Sequence, residues 1–558
     1  MRTPVVIVGA GPVGMVLALF LDRHGVASTV FNVDTTSRWH PKGNTHNART
    51  MEHYRRLGIS PAIRQLGLPF EHPTDVAYFT RFSAWEIARL RMPSEAEKQR
   101  AVAEADPIDQ VPEPLHRGNQ MYVERYLLAY TRTRPRIAMR LGWQVTDVDQ
   151  DDDGVTVVAH EVNGDGRETW RSSYVVGCDG GRSIVRRGLG ISYEGHGTID
   201  QDILGGRATA THLRLPSMYT DFFGDQPAWL YWSLNKDVAM VLQSLNGADE
   251  FMLVTSSIDP DRPDDAAVRR LLYLATGTEI PVEVLGHRGW TPGAALVAES
   301  FGHGRAHLAG DAAHLFTPTG GFGMNTGIDD AANLSWKLAA MVRGWGGGDL
   351  MASYEAERRP VAYRNTAAAR ELNNNLGAIS RPAALDDDSS SGEAARQALS
   401  RVLMTMGEEF ASIGVQLGAR YDESPLIAHT DNPPADHPTV YEPSSVPGGR
   451  APHAWLDDWH GPGSSLFDCF ARDGFTLLRL GAKARDASAL QAAFAERRIP
   501  LSTVDIASEV VRELYQCDLA LVRPDQHVAW RGNRVGDDAD AVVRVVAGLV
   551  PVGSRSAR

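Results

Sequence analysis

The run PVVIVGAGPVGMVLALF, Pro4 to Phe20, leaves few folds open to a chain that carries it. Pro4 to Val8 is short and apolar, as a strand buried on both faces must be. Gly9-Ala-Gly-Pro-Val-Gly14 follows, then helical sequence to about His24 and a second strand from Ser28 to Val33. In this strand–turn–helix setting each glycine has its own task. Gly9 makes the turn, Gly11 lets the backbone approach a pyrophosphate, and Gly14 lets helix and strand close together. Gly9, Gly11, Pro12 and Gly14 are therefore expected to contact a dinucleotide. An acidic residue about 20 positions on should hold its ribose. Asn32 stands there instead, able to hydrogen-bond a hydroxyl without charge, with Asp34 two residues later.

A second anchor is RAHLAGDAAHLFTPTGGFGMNTGIDDAANLSWK, Arg305 to Lys337. An apolar strand, Ala306 to Ala309, ends at Gly310-Asp311. A loop with Pro318, Gly320, Gly321 and Gly323 leads into a helix starting near Asn325, along which Leu334, Leu338 and Met341 recur at helical spacing. Glycines let backbone approach a flat or charged group, helix-start amides favour negative charge, and Asp311 suits a polyol.

Composition narrows the classes. With 558 residues, two to four domains are expected. A hydrophobic share of 43% with 22% charged residues is that of a globular protein, and a net charge of −13 argues against nucleic acid as a partner. Cys178, Cys469 and Cys517 form neither a CxxC nor a metal pattern, so no metal is expected. The glycines interrupting the first apolar run argue against a signal peptide, no run reaches membrane-span length, and a cytoplasmic location is the default.

Along the chain, HPKGNTHNARTMEHYRRLG (His40 to Gly58) places Arg49 in a helix flanked by His46 and His53. Residues 70 to 118 lack a regular pattern and read as a surface excursion and lid. A helix starts at Asn119-Gln120. Trp143 to Val148 and Val155 to His160 read as a hairpin around Asp151 to Gly154. YVVGCDGGRSIVR (Tyr174 to Arg186) is a strand, then a turn with Asp179 and Arg182, then a helix. From Gly190 to Trp290 alternating strands dominate, with a helix Asp264 to Ala275 on one face. Tyr219, Phe222, Phe223, Trp229, Tyr231 and Trp232 gather there as a candidate wall for an aromatic substrate. The helix from Ser353 carries charges expected to pair on its surface. After a polar stretch, Leu385 to Arg396, and a Pro-rich connector, Asn432 to Pro452, the remainder reads βαβ-ββα.

These motifs resemble the flavoprotein aromatic hydroxylases of the p-hydroxybenzoate hydroxylase type, in particular the longer members that act on phenols or polyketides. The resemblance implies an α/β protein with a Rossmann-like FAD-binding domain (1–190 and 285–375), an inserted antiparallel-sheet substrate domain (191–284), a helical segment and linker (376–450), and a thioredoxin-like C-terminal domain (451–558). It implies that Asp311 holds the ribityl chain, that Pro318 lies beside the flavin ring, and that Gly321, Gly323, Met324 and Asn325 face its pyrimidine end. Arg49, Gln120, Asp179 and Arg182 are the further FAD contacts it implies. NADH or NADPH is the implied reductant, O2 a co-substrate, and a homodimer the implied assembly. The implied reaction is hydroxylation of a phenolic ring through a flavin C4a-hydroperoxide. A tailoring hydroxylase of a polycyclic polyketide, a flavin oxidase without oxygen insertion and a non-catalytic flavoprotein partner are the alternatives. His46, Tyr231, His314 and Tyr219 are the candidates for ionising the phenol, with Pro318 counted among the catalytic residues. Tyr219, Phe223, Trp229 and Tyr231 are the candidates for touching substrate.

Overall fold

The computed structural model describes residues 1–37, 39–197, 207–290, 294–377, 379–428, 432–457, 460–461, 463–536 and 539–549. Five parallel strands form the core of the eight-stranded first sheet, in the order Ala306–Leu308, Arg167–Gly177, Arg2–Val8, Ser28–Asn32 and Ile137–Leu141. Val5, Val6 and Ile7 are fully buried, as a strand covered by helices on both faces requires. The hairpin of Trp143–Asp151 and Gly154–Glu161 continues antiparallel from the long strand. Helix Pro12–Arg23 packs on this sheet, and helix Phe322–Val342 packs on it in turn. Their approach needs Gly327, where a Cβ would come within 2.6 Å of Val13 and 2.9 Å of the Gly310 backbone.

The second sheet has seven strands, ordered Glu283–Trp290, Ala208–Arg214, Glu250–Thr255, Ala239–Ser244, Leu230–Leu234, Val76–Phe79 and Glu86–Leu90. Helix Asp265–Thr276 covers one face through Val268, Leu271 and Leu272. Two of these strands come from the stretch read as a surface lid. Val76–Phe79 pairs parallel with Leu230–Leu234, and all four of its residues are buried. VAYF is a continuous apolar run too short to show a period, so the sequence pattern does not mark it as a strand.

The C-terminal unit is a four-stranded sheet, Leu501–Ile506, Phe475–Leu480, Leu519–Val522 and Val528–Gly532, with the first pair parallel and the others antiparallel. Helices Ser488–Glu496 and Ala539–Val546 fall where expected. A further short helix, Glu509–Tyr515, capped by Ser508, lies between the second and third strands of the expected pattern. Trp336 and Ala340 pack against Phe475 and Leu477 and join this unit to the long helix.

The charges of the helix Asp349–Gly377 do not lie on its surface. Glu357 and Arg358 are buried. Glu357 accepts from Lys337 Nζ at 2.6 Å and from Arg523 at 2.6 and 2.8 Å. Arg358 donates to Asp330 at 2.8 Å and Asp329 at 2.5 Å. An uncompensated buried charge is costly. Glu357→Gln should therefore lower the unfolding free energy by about 3–5 kcal/mol in urea denaturation. Glu194→Gln, which weakens only exposed contacts, with Arg359 and with the Tyr363 hydroxyl, should change it by about 0–1 kcal/mol.

Candidate functional site

A cavity of about 1080 Å³ runs from the Gly9–Pro12 turn, past the start of helix Phe322–Val342, to the face of the seven-stranded sheet that its helix leaves uncovered. At the first end the three glycines have different surroundings, and Gly14 departs from the expected contact. Gly9 has φ +107°, and a Cβ there would lie 2.3 Å from the Cys178 carbonyl oxygen. A Cβ on Gly14 would lie 2.0 Å from the Gly9 oxygen. Gly14 therefore serves packing and does not line the cavity. Gly11 faces the opening, with no protein atom within 4 Å of a Cβ built on it. Asn32 lines the cavity, but its amide holds the turn: Oδ1 accepts from Ala10 N at 3.1 Å and Nδ2 donates to the Asp34 carbonyl at 3.1 Å. Asp34 lines the cavity beside it.

In the middle, Asp179, Arg182, Gln120 and Asp311 line the cavity. Asp179 Oδ2 caps the following helix by accepting from Ile184 N at 2.6 Å. Its Oδ1 is buried with no protein partner, and burial raises the carboxyl's pKa. Gln120 donates to Glu124 at 2.5 Å. Further on, Pro318, the Thr319–Gly321 turn, Gly323 and Met324 line the wall. Gly320 and Gly321 have φ +79° and +66°, which glycine adopts without strain. Asn325 lies behind this turn. It accepts from Asn47 N at 3.0 Å and donates to the carbonyls of Thr45 at 2.9 Å and Gly321 at 2.6 Å, so it holds the turn in place.

The far wall is built by strand alternation. Leu230 and Trp232, Val241 and Gln243, and Met252 and Val254 face the cavity, with Ala210 beside them. Side chains one residue out of step face the opposite way. Tyr231 is one of these, and this removes it from the candidates. It is fully buried under the covering helix, stacked on Phe223 at 3.6 Å, and its hydroxyl accepts from Ala228 N at 2.6 Å. Phe223 and Tyr219 lie in the same core, the Tyr219 hydroxyl bonded to Ser244 at 2.8 Å and to His72 at 3.1 Å. Of the four expected substrate contacts, Trp229 alone lines the cavity, and Trp232 joins it.

Three other expectations are also corrected. Arg49 is buried outside the cavity, where it donates to Glu52 at 2.8 Å, Gln526 at 3.0 Å and the Asp525 carbonyl at 2.6 Å. Its planar fork is directed at the C-terminal unit. His46 is buried outside the cavity against the Gly118 carbonyl at 3.0 Å, and burial holds its pKa down to about 3. His314 lies 2.6 Å from Asp330 Oδ2 within the buried ion cluster. None of the three lines the cavity.

Two cavity residues had no place in the sequence reading. Arg117 comes from the stretch read as a lid. It donates to Thr45 Oγ1, and its guanidinium carbon stands 3.9 Å over the Trp229 ring. Its position just before the Gln120 helix was the available signal. Glu409 comes from the helical segment before the linker and accepts from Gly320 N at 3.1 Å. Nothing in its sequence surroundings marks it.

The residues present fit FAD. Gly11 leaves the space a pyrophosphate needs, Asp179 Oδ1 offers an unused buried acceptor, and the Pro318–Met324 wall is built from backbone and small side chains that admit a flat ring. Fold and site together define an FAD-dependent aromatic monooxygenase. The chain belongs to this family: residues 2–369 match the FAD binding domain and residues 444–549 the C-terminal domain of aromatic-ring hydroxylases. It is 34% identical to FAD-dependent monooxygenase apdD of Emericella nidulans, over 98% of this chain and 90% of that one. It is 31% identical to aklavinone 12-hydroxylase RdmE of Streptomyces purpurascens, over 96% of each. The structure of RebC soaked with chromopyrrolic acid, with 7-carboxy-K252c bound, superposes with a TM-score of 0.87 at 34% identity, covering 99% of this chain and all of that one.

Two tests follow from this geometry. Gly11→Ala should leave the apoprotein's thermal midpoint unchanged but weaken FAD binding at least about tenfold, ~1.4 kcal/mol, because its methyl enters only the ligand's space. Gly9→Ala should lower the midpoint as well, because its methyl meets Cys178. The second test concerns pH. His24, His46 and His453 are held down to about 3, and His53 and His307 to about 4, each chiefly by burial. Unfolded, they take up protons near pH ~6.5. The unfolded chain therefore binds more protons as pH falls through that value, and stability drops. The urea midpoint should decrease between about pH 7.5 and about pH 5, and His24→Gln should flatten that slope.

Proposed function

We propose that the substrate of this monooxygenase is a phenol carried on a flat, multi-ring aromatic system. The carrying observation is the wall of Ala210, Leu230, Trp232, Val241, Met252 and Val254, which extends across four neighbouring strands opposite the Pro318–Gly321 turn. A single ring would cover a small part of it. Relatives named for aklavinone and for 7-carboxy-K252c support the same reading. A phenol 2-monooxygenase of a Pseudomonas strain, 28% identical over 98% of this chain and 93% of that one, marks the single-ring alternative.

Bound FAD would supply the redox chemistry that links NADH or NADPH and O2 to hydroxylation of the ring. The chain must hold the ring flat against its aliphatic and indole wall, keep water out and stabilise charge. A homodimer in the cytoplasm, drawing on dissolved O2, completes this reading on the strength of the family resemblance.

The test is stopped-flow reduction of the flavin by NADH and by NADPH, with phenol and with hydroxylated polycyclic aromatics. The polycyclic compounds should speed reduction at least about tenfold (~1.4 kcal/mol in the barrier) over phenol and should be recovered with added oxygen. Trp232→Ala should weaken their binding by about 1–2 kcal/mol. Equal stimulation by phenol would overturn the multi-ring reading. Peroxide as the only oxygen product would point to an oxidase.

A further inference from the structure

The four candidates for ionising a phenol lie outside the cavity, yet its ring end contains an acid and a cation that no part of the sequence reading claims. Glu409 Oε1 accepts from Gly320 N, in the turn beside Pro318. Arg117 holds Thr45, whose side chain a Cβ on Gly321 would meet at 2.9 Å. Both groups therefore sit against the Thr319–Gly321 turn. Arg117 also covers Trp229 at 3.9 Å and lies 5.7 Å from the Phe410 ring, the residue next to Glu409. Arg117 Nε is buried without a protein partner, and both side chains line the cavity.

Resting on the hydroxylase reading above, we propose that Glu409 takes the phenolic proton of the substrate and that Arg117 holds the phenolate oxygen that results. The substrate O–H bond breaks, its electron pair stays on oxygen, and the proton moves to the carboxylate, where Oε2 is the oxygen not engaged by Gly320. Charge balances: a carboxylate and a phenol become a carboxylic acid and a phenolate beside a guanidinium. An electron-rich phenolate is the form that an electrophilic oxygen attacks most readily, so the exchange prepares the ring for hydroxylation.

The environment suits this exchange. Burial raises the Glu409 carboxyl's pKa, and Arg117 opposes that shift only in part. Burial likewise brings the Arg117 guanidinium down to about 9, against the opposing effect of Glu409. The charged and titratable groups facing Glu409 are Arg117 and Tyr78, whose hydroxyl burial, then Glu409, pushes up. A rival base is His40, which lines the cavity with Nδ1 3.0 Å from the Pro41 carbonyl. It lies toward Ala210 and Arg288, and burial, then the Arg288 charge, disfavours its protonation.

The experiment uses the FAD-loaded full chain and 2-hydroxyanthraquinone, whose visible spectrum reports its ionisation. Binding is followed by the flavin difference spectrum, and the bound probe's phenolate band is titrated against pH. In the wild type the band should appear at a pH at least about one unit below that of the free probe, a tenfold change in proton affinity (~1.4 kcal/mol). Glu409→Gln should move the transition back up, Glu409→Asp should restore it in part, and Arg117→Met should remove the phenolate band at neutral pH while the probe still binds. His40→Gln should leave the transition in place. A Gln variant that keeps the wild-type transition, or a His40 variant that loses it, would overturn the assignment. Rapid flavin reduction with a probe that stays neutral in the wild type would overturn it while leaving the hydroxylase reading intact. A probe that neither binds nor speeds reduction would overturn both.

Discussion

Much of this molecule depends on one buried carboxylate. Glu357 receives Lys337 from the helix that borders the cofactor cavity, Arg523 from the C-terminal unit, and Ser424 at 2.5 Å from the connector between them. Together with four further carboxylates (Glu52, Asp329, Asp330, Asp525) it meets five cations (Arg49, Lys337, Arg358, Arg450, Arg523). Desolvating such groups costs several kcal/mol each unless every one finds its partner. The C-terminal unit, the connector and the two long helices must therefore come together for any of them to be buried at reasonable free energy. The cluster reaches the site as well. Asp330 accepts from Gly310 N at 3.1 Å, so the ion pairs that dock the C-terminal unit also fix the strand end that presents Asp311.

This explains a C-terminal sheet that lacks a CxxC. Its Arg523-Pro-Asp525 segment supplies two of these ion pairs, Arg523 with Glu357 and Arg523 with Asp525, and Asp525 also receives Trp336 at 3.2 Å and Asn333 at 3.1 Å. The unit closes the network instead of exchanging disulfides. Arg49 illustrates the cost of reading a motif alone. Its helix sits where a cofactor contact is expected, but its fork has three partners in and around this network, and those partners determine where it points.

The dinucleotide end was legible in the sequence because its requirements are local. A turn with φ +107° and two close backbone approaches leave glycine as the only fit at Gly9 and Gly14, and spacing alone reveals that. The same holds for Pro318, Gly321, Gly323 and Met324, which reach the cavity from one turn. The ring end was not legible, because its residues converge from separate stretches: Arg117 from a two-residue strand, Trp232 from the strand Leu230–Leu234 and Trp229 from the residue before it, Glu409 from a short helical turn. The aromatics gathered in this stretch divide between the two faces, Trp229 and Trp232 lining the cavity and Tyr219, Phe222, Phe223 and Tyr231 filling the core, and composition could not say which face each one takes. Between Trp232 and Tyr231 that choice is a matter of one residue's register, and it separates a cavity wall from a core.

The two ends also differ in how they handle charge. The dinucleotide end relies on backbone amides, the Asn32 amide and the dipole of helix Pro12–Arg23, groups whose orientation is fixed by folding and whose charge does not vary with pH. Such a site suits a permanently anionic ligand held through many turnovers. The ring end contains Glu409 and Arg117, enclosed by indole and aliphatic side chains, where burial shifts both groups and each partly offsets the other's shift. Low polarity there makes an isolated charge expensive and a compensated one effective, so a ligand that brings or loses a proton changes the balance between the pair. A substrate that is exchanged in every cycle is the ligand for which such a responsive surface is useful.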